Sequence, residues 1–332
     1  MRAHYIDVGQ GVATLYEFSC GAILVDTGGE ANGVFDSDRA LQAYLDGFFL
    51  ARPDLNRTLD LLVISHPHSD HAHGAKLFTV DTSDKYTVKN VVTDGLVKEP
   101  SGHFYSGGAE QQALEEWAKA HAKLETISTK DVPKGGKTDG VIDPVACADQ
   151  DPQVKVLWGA SEEQPEDWTK GTFEDANNHS VVLRIDFGKA SFLTTGDLTA
   201  AAVPALIKLH GNSHALDADV WEVSHHGSAN ATNQAILDAI TPEIATMGTG
   251  DPLRQTGGQF TAFQFGHPRE SAVDLIVGSL TDTRPETHVP VATGQRDFEN
   301  IDLKAALYAT GWDGTVVVTG QANGTYSVKT EK

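Results

Sequence analysis

The chain has 332 residues, enough to bury a sizeable core in one large domain or two ordinary ones. Hydrophobic residues make up 40% and charged residues 21%, as in globular proteins, and no run of about 18 apolar residues is present that would span a membrane. The 46 acidic against 25 basic residues give a formal charge of -21, which disfavours long nucleic acid as a substrate because like charges repel.

In chain order, strand and helix patterns alternate. Residues 4–8, 12–18 and 22–25 are rich in β-formers and end in turn residues, and the apolar spacing over 36–50 predicts a helix. Residues 61–64 are continuously apolar, which is typical of a strand buried on both faces. Further strands are predicted over 88–93, 154–158 and 220–223, with a hairpin over 181–195. Further helices are predicted over 109–122, 200–210 and 233–240. This alternation predicts an α/β arrangement of layers.

The cysteines and the N-terminus bear on the compartment. Cys20 and Cys147 lie in apolar stretches, and two cysteines cannot build a framework of bridges, so we expect buried free thiols. The N-terminus enters a strand pattern at once and lacks the apolar region of a signal peptide. The sequence therefore predicts a cytoplasmic protein, with a secreted form that has lost a leader as the alternative.

A histidine cluster directly follows the apolar strand at 61–64. Three histidines and an aspartate, His66, His68, Asp70 and His71, fall within six residues. Imidazole nitrogens and carboxylate oxygens are ligands that suit Zn²⁺ and its neighbours. In a loop leaving a strand, His66 and His68 point the same way while Asp70 and His71 reach a second position. One strand end would thus supply ligands to two metal ions.

Further candidate ligands lie just past other β-like runs. They are His179, Asp197, His225 and His226. Because an α/β sheet places its site at the carboxyl ends of its strands, we expect these residues to share one rim with the histidine cluster. Asp197, with two carboxylate oxygens, is the natural bridge between two ions.

These elements resemble the metallo-β-lactamase superfamily. The matching segments are Asp26-Thr27-Gly28, His66-Pro67-His68-Ser69-Asp70-His71, Thr195-Gly196-Asp197 and His225-His226-Gly227-Ser228. The opening Asp7-Val8-Gly9-Gln10-Gly11 and the late Phe265-Gly266-His267-Pro268 are more specifically similar to the hydrolase domain of ComEC-type competence proteins, its stand-alone relatives and some bacterial phosphocholine esterases. The resemblance implies one domain over 1–332, with insertions near 30–58, 97–110, 160–176 and 278–300.

The resemblance implies an αββα sandwich that holds two divalent ions, zinc or alternatively manganese. By this likeness His66, His68 and His179 would bind one ion, and Asp70, His71 and one histidine of the pair 225/226 the other. Asp197 would bridge the ions, and Asp26 would orient a ligand histidine. We favour His225 as the ligand because a tight turn cannot easily aim both rings at one ion, which leaves His226 to contact the substrate or leaving group.

The implied function is a dinuclear metal-dependent hydrolase that cleaves a phosphodiester or related phosphate ester by metal-bound hydroxide. Asp70 or Asp197 would orient the nucleophile. His226 and His267 are candidates to donate a proton or bind the oxyanion. We expect a small-molecule or short phosphoester substrate and no membrane partner, and the oligomeric state is left open.

Two other functions are compatible with the same residues. One is a carboxylic ester, lactone or β-lactam hydrolase, because a fold does not fix its reaction. The other is a non-catalytic binding or immunity protein, whose signature would be a broken ligand set. For the glycine-flanked loop at 102–108 we expect a plain surface loop, with a lid formed by His103 and Tyr105 as the alternative.

Overall fold

The computed structural model describes residues 1–79, 85–255 and 260–332. The strands are β1 (Arg2–Tyr5), β2 (Thr14–Glu17), β3 (Ala22–Val25), β4 (Thr58–Leu59), β5 (Leu61–Val63), β6 (Thr87–Val88), β7 (Asn90–Thr93), β8 (Lys123–Thr126), β9 (Gln153–Trp158), β10 (Val182–Phe187), β11 (Ala190–Thr194), β12 (Val220–Glu222), β13 (Ile244–Met247), β14 (Thr283–Gly294), β15 (Asp297–Ala305), β16 (Leu307–Ala309), β17 (Val316–Gly320) and β18 (Tyr326–Thr330). The helices are α1 (Ser37–Ala51), α2 (Ser69–Ala72), α3 (Gly108–His121), α4 (Lys170–Glu174), α5 (Val203–His210), α6 (Gln234–Ile240), α7 (Ala262–Phe265), α8 (Glu270–Val277) and α9 (Thr310–Asp313). Within these ranges, no helix has the length and apolar character needed to cross a bilayer.

Two large sheets form the middle of the molecule. In the first sheet the strand order is β18-β17-β1-β2-β3-β5-β7-β8, and in the second it is β16-β13-β12-β11-β10-β9. Strands β3, β5, β7 and β8 run parallel to one another, as do β11, β12, β13 and β16. The carboxyl ends of the parallel strands in each sheet therefore meet along one edge.

The alternation of side chains along each strand builds the layers. In β5, Leu61 and Val63 join the core between the two sheets, whereas Leu62 packs outward with Leu45 of α1 and Leu114 of α3. The second sheet does the same, and its outward residues pack against α5, α6 and α8. Because successive side chains on a strand point to opposite faces, a continuous apolar run can serve two cores. The four layers confirm the predicted αββα sandwich.

The C-terminal part of the chain contains strands that the sequence patterns did not predict. The segment expected to be an insertion near 278–300 forms most of a long hairpin, β14–β15, whose Val291 and Leu303 pack into the outer core of the second sheet. The division into one domain with four insertions stays a prediction.

The prediction of two free thiols is wrong, because Cys20 and Cys147 form a disulfide. Cys20 lies in the exposed turn between β2 and β3, and Cys147 follows a segment whose Ile142 and Val145 pack into the core between the sheets. The two cysteines are 127 residues apart in sequence, so the apolar context of each gave no sign that the fold brings them together.

Candidate metal centre

The candidate ligands come from the parallel strands of both sheets. His66 follows β5 in the first sheet, while Asp197 follows β11 and His226 follows β12 in the second. His226 Nε2 lies 3.1 Å from Asp70 Oδ2, so the two edges touch at this point. The strand ends of the two sheets therefore bring these residues together in the structure.

One group, site 1, consists of His66, His68 and Asp197. His66 Nε2 lies 3.1 Å from His68 Nδ1 and 3.9 Å from Asp197 Oδ2. His66 is fully buried, and its other ring nitrogen lies 3.1 Å from Ser65 Oγ. The two ring nitrogens and the carboxylate oxygen thus converge on one side of the buried His66 ring.

A second group, site 2, consists of Asp70, His71, Asp197 and His226. One ligand atom from each residue lies within 4.8 Å of all the others. His71 Nε2 is 3.0 Å from Asp197 Oδ1, and His226 Nε2 is 3.4 Å from Asp197 Oδ2. Asp197 lies close to residues of both sites, and its role as a bridge between two ions stays a prediction.

Hydrogen bonds from neighbouring groups fix the orientation of the site 2 histidines. Asp26 accepts from His71 Nδ1 at 2.7 Å and from the backbone N–H of Ser65 at 2.7 Å. His226 Nδ1 donates to the carbonyl oxygen of Gly248 at 2.6 Å. Each partner occupies Nδ1 and leaves Nε2 facing site 2, the arrangement by which outer groups orient metal-binding histidines.

The electrostatics of site 2 couple carboxylates to histidines. Burial raises the pKa of Asp70, but the hydrogen bond from His226 and the charge of His71 outweigh burial and hold that pKa below its usual range. Burial lowers the pKa of His226, but Asp197 and Asp70 raise it to about 10. The pKa of His71 is raised in the same way, by Asp197 and Asp26 against the effect of burial. Since a proton and a metal ion compete for the same ring nitrogen, we expect metal binding to release protons here.

The donor atoms fit divalent transition-metal ions. In the described part of the chain, His71 Nε2, Asp197 Oδ1 and His225 Nδ1 are buried without a partner in hydrogen-bonding geometry. Such unpaired polar atoms cost free energy unless a ligand satisfies them. Histidine nitrogens with carboxylate oxygens are the ligand set of zinc and its neighbours, so the residues of site 2 fit such an ion, and His66 and His68 supply two further ring nitrogens beside it.

The structure places His226, and not His225, among the residues of site 2, which reverses the expectation from the sequence. Both residues are in the left-handed region, with φ of 51° and 55°, so the turn holds the two rings in different directions. His226 is buried to 1% exposure and belongs to site 2, while His225 is more open and its Nε2 lies 3.7 Å from Asp197 Oδ2. A tight turn does aim one ring only, as expected, but that ring is His226.

The structure does not bring His179 to either site. Its Nδ1 accepts from the backbone N–H of Ser161 at 2.9 Å, and its Nε2 donates to the carbonyl of Phe173 at 2.7 Å. The ring also packs against Trp168. Both nitrogens are therefore occupied by the segment 160–176, because the chain turns the ring toward that segment instead of the rim.

His267 lies beside site 2 as a neutral ring. It stacks on His226 with a centroid distance of 5.9 Å, and burial together with the charges of His226 and His225 lowers its pKa to about 3. Gln10 Nε2 lies 3.3 Å from His267 Nδ1 and donates to it, which leaves the ring proton on Nε2. Gln10 was not among the predicted site residues, although it lies in the motif Asp7-Val8-Gly9-Gln10-Gly11, which is the signal in the sequence that points to this contact.

A cavity of about 580 Å³ adjoins site 1. Its lining residues are His68, Glu99, Pro100, Ser101, Tyr105, Lys170, Glu174, Asp175 and Ala176. The ring centroids of Tyr105 and His68 are 5.8 Å apart, and the Tyr105 hydroxyl donates to the carbonyl of Glu174 at 3.1 Å. Burial and surrounding carboxylates raise the pKa of Tyr105 to about 12. Of the two residues considered for a lid, Tyr105 therefore lines the site and His103 stays exposed.

Comparison with known proteins agrees with this fold and site. Residues 6–250 match the family described as the metallo-beta-lactamase superfamily. The class that the fold and the site define is thus a metal-dependent enzyme, and the chain belongs to the metallo-β-lactamase superfamily.

Particular relatives include ComEC-type competence proteins. The chain is 25% identical over 278 residues to ComE operon protein 3 of Bacillus subtilis, covering 82% of this chain and 30% of that protein. It is 25% identical over 247 residues to Recombination protein 2 of Haemophilus influenzae, covering 74% and 24%. The chain thus spans less than a third of the length of either relative. Among solved structures, the metallo-beta-lactamase fold protein YhfI of Bacillus subtilis has a TM-score of 0.40 and 14% identity, covering 74% of this chain and 85% of that one.

Proposed function

We propose that the chain is a dinuclear metal-dependent hydrolase of small phosphodiesters or related phosphate esters. The observation that carries the proposal is the position of Asp197, a buried carboxylate whose Oδ2 lies near both His66 of site 1 and His226 of site 2 while its Oδ1 faces His71. A shared carboxylate between two sets of histidines is the ligand arrangement that two-metal hydrolysis of phosphate esters uses. Zinc is the ion we expect, with manganese as the alternative.

The residues of the chain have separate roles in this reaction. Two divalent ions, when bound, would polarise a phosphoryl oxygen and lower the pKa of a coordinated water. Asp26 and the carbonyl of Gly248 keep the ligand rings in place, so little reorganisation is needed during the reaction. Asp70 is ionised and partly open, and its carboxylate orients the attacking water. His267, neutral with its proton on Nε2, donates a hydrogen bond to the developing negative charge rather than a proton.

Nucleic-acid cleavage is a second candidate function. The names of two relatives refer to the ComE operon and to recombination, which favours a nucleic-acid substrate. The charge of -21 and the carboxylates beside site 1 work against a long polyanion on this surface. We therefore place a small phosphodiester first.

The test is hydrolysis of bis(p-nitrophenyl) phosphate and of a single-stranded oligonucleotide by metal-stripped protein reloaded with zinc or manganese. We expect metal-dependent turnover of the small substrate and its loss in His66→Ala. The matched control is His121→Ala, which removes an exposed histidine at the end of α3. Two bound ions without turnover of either phosphodiester would reject the proposal and favour carboxylic esters, lactones and β-lactams.

The compartment is also a matter for proposal. The sequence predicts a cytoplasmic protein, whereas the Cys20–Cys147 disulfide favours an oxidising compartment, because cytosolic thiols are kept reduced. We therefore propose that the protein works outside the cytoplasm. Alkylation of thiols in intact cells before lysis should leave Cys20 and Cys147 unlabelled until a reductant is added. Full labelling without reductant would contradict this proposal and support the cytoplasmic location that the sequence predicts.

A further inference from the structure

The cavity beside site 1, called here the acidic cavity, is the space that a substituent on the scissile phosphate would enter. It lies between the loop that carries Glu99 and Tyr105 and the segment at α4, and its wall includes His68. Because His68 also belongs to site 1, a phosphate held at the candidate centre would have one ester group next to this cavity. The cavity therefore bears on which substituents the enzyme accepts.

The lining of the acidic cavity carries an excess of negative charge. Glu99, Glu174 and Asp175 contribute carboxylates, and Lys170 is the one basic residue among the described residues that line it. The Lys170 side chain is 81% exposed, and its Nζ lies 3.4 Å from Glu174 Oε1, so its charge is already paired. Two carboxylates remain without a cation from the lining. They repel a further phosphate group and attract a positively charged substituent.

Each of the two carboxylates without a cation accepts one local hydrogen bond. Glu99 Oε2 accepts from Ser101 Oγ at 2.9 Å, and Asp175 Oδ1 accepts from the backbone N–H of Asn177 at 3.1 Å. Tyr105 bridges the two sides of the cavity through its bond to the carbonyl of Glu174. The acceptors therefore come from both walls of the cavity, with Glu99 exposed on one of them.

The side chains that line the acidic cavity indicate which type of ammonium group it would bind. A quaternary ammonium is typically recognised by several aromatic faces, and among the described lining residues Tyr105 is the one aromatic side chain apart from the candidate ligand His68. Carboxylate oxygens instead accept charge-assisted hydrogen bonds from N–H donors. A primary ammonium matches this lining better than a quaternary one.

We propose that the acidic cavity binds a primary ammonium group of the substrate, so that the enzyme prefers phosphodiesters with an aminoalkyl substituent. This inference rests on the proposed phosphodiesterase function and narrows its substrate class. It also gives the acidic segment at 160–176 a role in specificity.

The test compares p-nitrophenyl 2-aminoethyl phosphate with p-nitrophenyl propyl phosphate, in which a methyl group replaces the ammonium. We expect kcat/KM to favour the aminoethyl ester about tenfold, the effect of one good charge-assisted contact. The double variant Glu99→Gln/Asp175→Asn should bring the ratio close to one. Metal content and Tm of this variant should match those of the parent protein, because neither side chain belongs to site 1 or site 2.

The matched control is Glu163→Gln/Asp167→Asn, which removes two exposed carboxylates from the same segment outside the acidic cavity. It should keep the preference of the parent protein. Calorimetric binding of 2-aminoethyl phosphate and propyl phosphate to the zinc-loaded protein gives the same comparison without turnover. Equal rates and equal affinities for the two compounds would overturn the inference. Tighter binding of 2-aminoethyl phosphate to the parent protein without turnover of either ester would overturn the proposed function and leave the preference for an ammonium group standing.

Discussion

At the scale of residues, His225 and His226 show how a backbone turn divides work between two identical side chains. Their φ angles are nearly equal, yet Gly248 accepts from one ring while Nδ1 of the other has no hydrogen-bond partner among the described residues. Left-handed backbone at non-glycine residues costs about 1–3 kcal/mol each and persists where the surroundings fix it. Here the contacts of His226 with Asp70 and Asp197 offset this conformational cost.

We predict that His226→Ala removes about one bound ion per chain, because site 2 loses a ligand whose orientation is fixed in advance. His225→Ala should lower activity and leave metal content close to that of the parent protein. Metal analysis after gel filtration measures both. Loss of an ion in His225→Ala with full occupancy in His226→Ala would return the assignment to the one favoured from sequence.

Glu222 provides a prediction about pH. Burial raises its pKa to about 7 from an ordinary 4.5, so the folded protein favours the protonated form. Its stabilising contribution is complete below pH 4.5 and is lost as pH rises through about 7. Glu222→Gln removes the charge and keeps the acceptor for Thr14, so it should raise the free energy of unfolding at about pH 8 by up to about 3 kcal/mol and change little at about pH 4.

Urea denaturation at both pH values measures this effect. Glu17→Gln is a control of opposite sign. Although burial raises the pKa of Glu17, hydrogen bonds from His4, Arg2 and Arg52 lower it to about 2. Its stabilising contribution is therefore present above the ordinary pKa of 4.5 and lost as pH falls toward 2, so removing the charge should destabilise the protein at about pH 8. Stabilisation by Glu222→Gln of equal size at both pH values would contradict the buried-acid explanation.

At the scale of elements, His179 connects the segment 160–176 to the body of the protein. The ring joins Ser161 at the start of this segment to Phe173 near its end, and it packs on Trp168 between them. Trp168 is itself buried in the outer core of the second sheet. The acidic cavity therefore depends on a histidine that faces away from it.

We predict that His179→Ala loosens the segment 160–176 without removing metal. Limited proteolysis should cut this segment faster by about tenfold, as expected for loss of about 1–2 kcal/mol of local hydrogen bonding. Metal content should match the parent protein, which separates this role from that of His66. Loss of an ion in His179→Ala would instead make the residue a ligand, as the family resemblance implied.

At the scale of the whole molecule, sequence reasoning predicted the layers and the rim but not the partners of each ring. The strand at Leu61–Val63 was visible as a continuous apolar run, and the candidate ligands after β11 and β12 were visible as residues at strand ends. The direction of a ring, such as that of His226 or His179, depends on backbone angles and on contacts with distant segments. The pairing of Cys20 with Cys147 depends on such contacts as well, and one sequence contains no direct signal of them.

The two sheets contribute separate halves of the centre, so metal binding should stabilise the whole fold. His71 comes from the first sheet, and Asp197 and His226 come from the second. Ions that bind the folded state but not the unfolded state stabilise the folded protein by mass action. We predict that a chelator lowers Tm by several degrees in the parent protein and in His225→Ala, and by a smaller amount in His226→Ala. Equal shifts in all three proteins would show that the stabilising ions bind elsewhere.

Strand β1 pairs with β2 on one side and with β17 on the other, and Arg2 lies opposite Thr319. During synthesis, β1 must therefore wait for a partner strand that lies more than 300 residues later in the chain. At translation rates of about 5–20 residues per second, that interval is on the order of tens of seconds. For all of that time the outer edge of β1 is an unpaired strand edge, open to pairing with other chains. We therefore expect the partly made chain to be open to such pairing until β17 has left the ribosome.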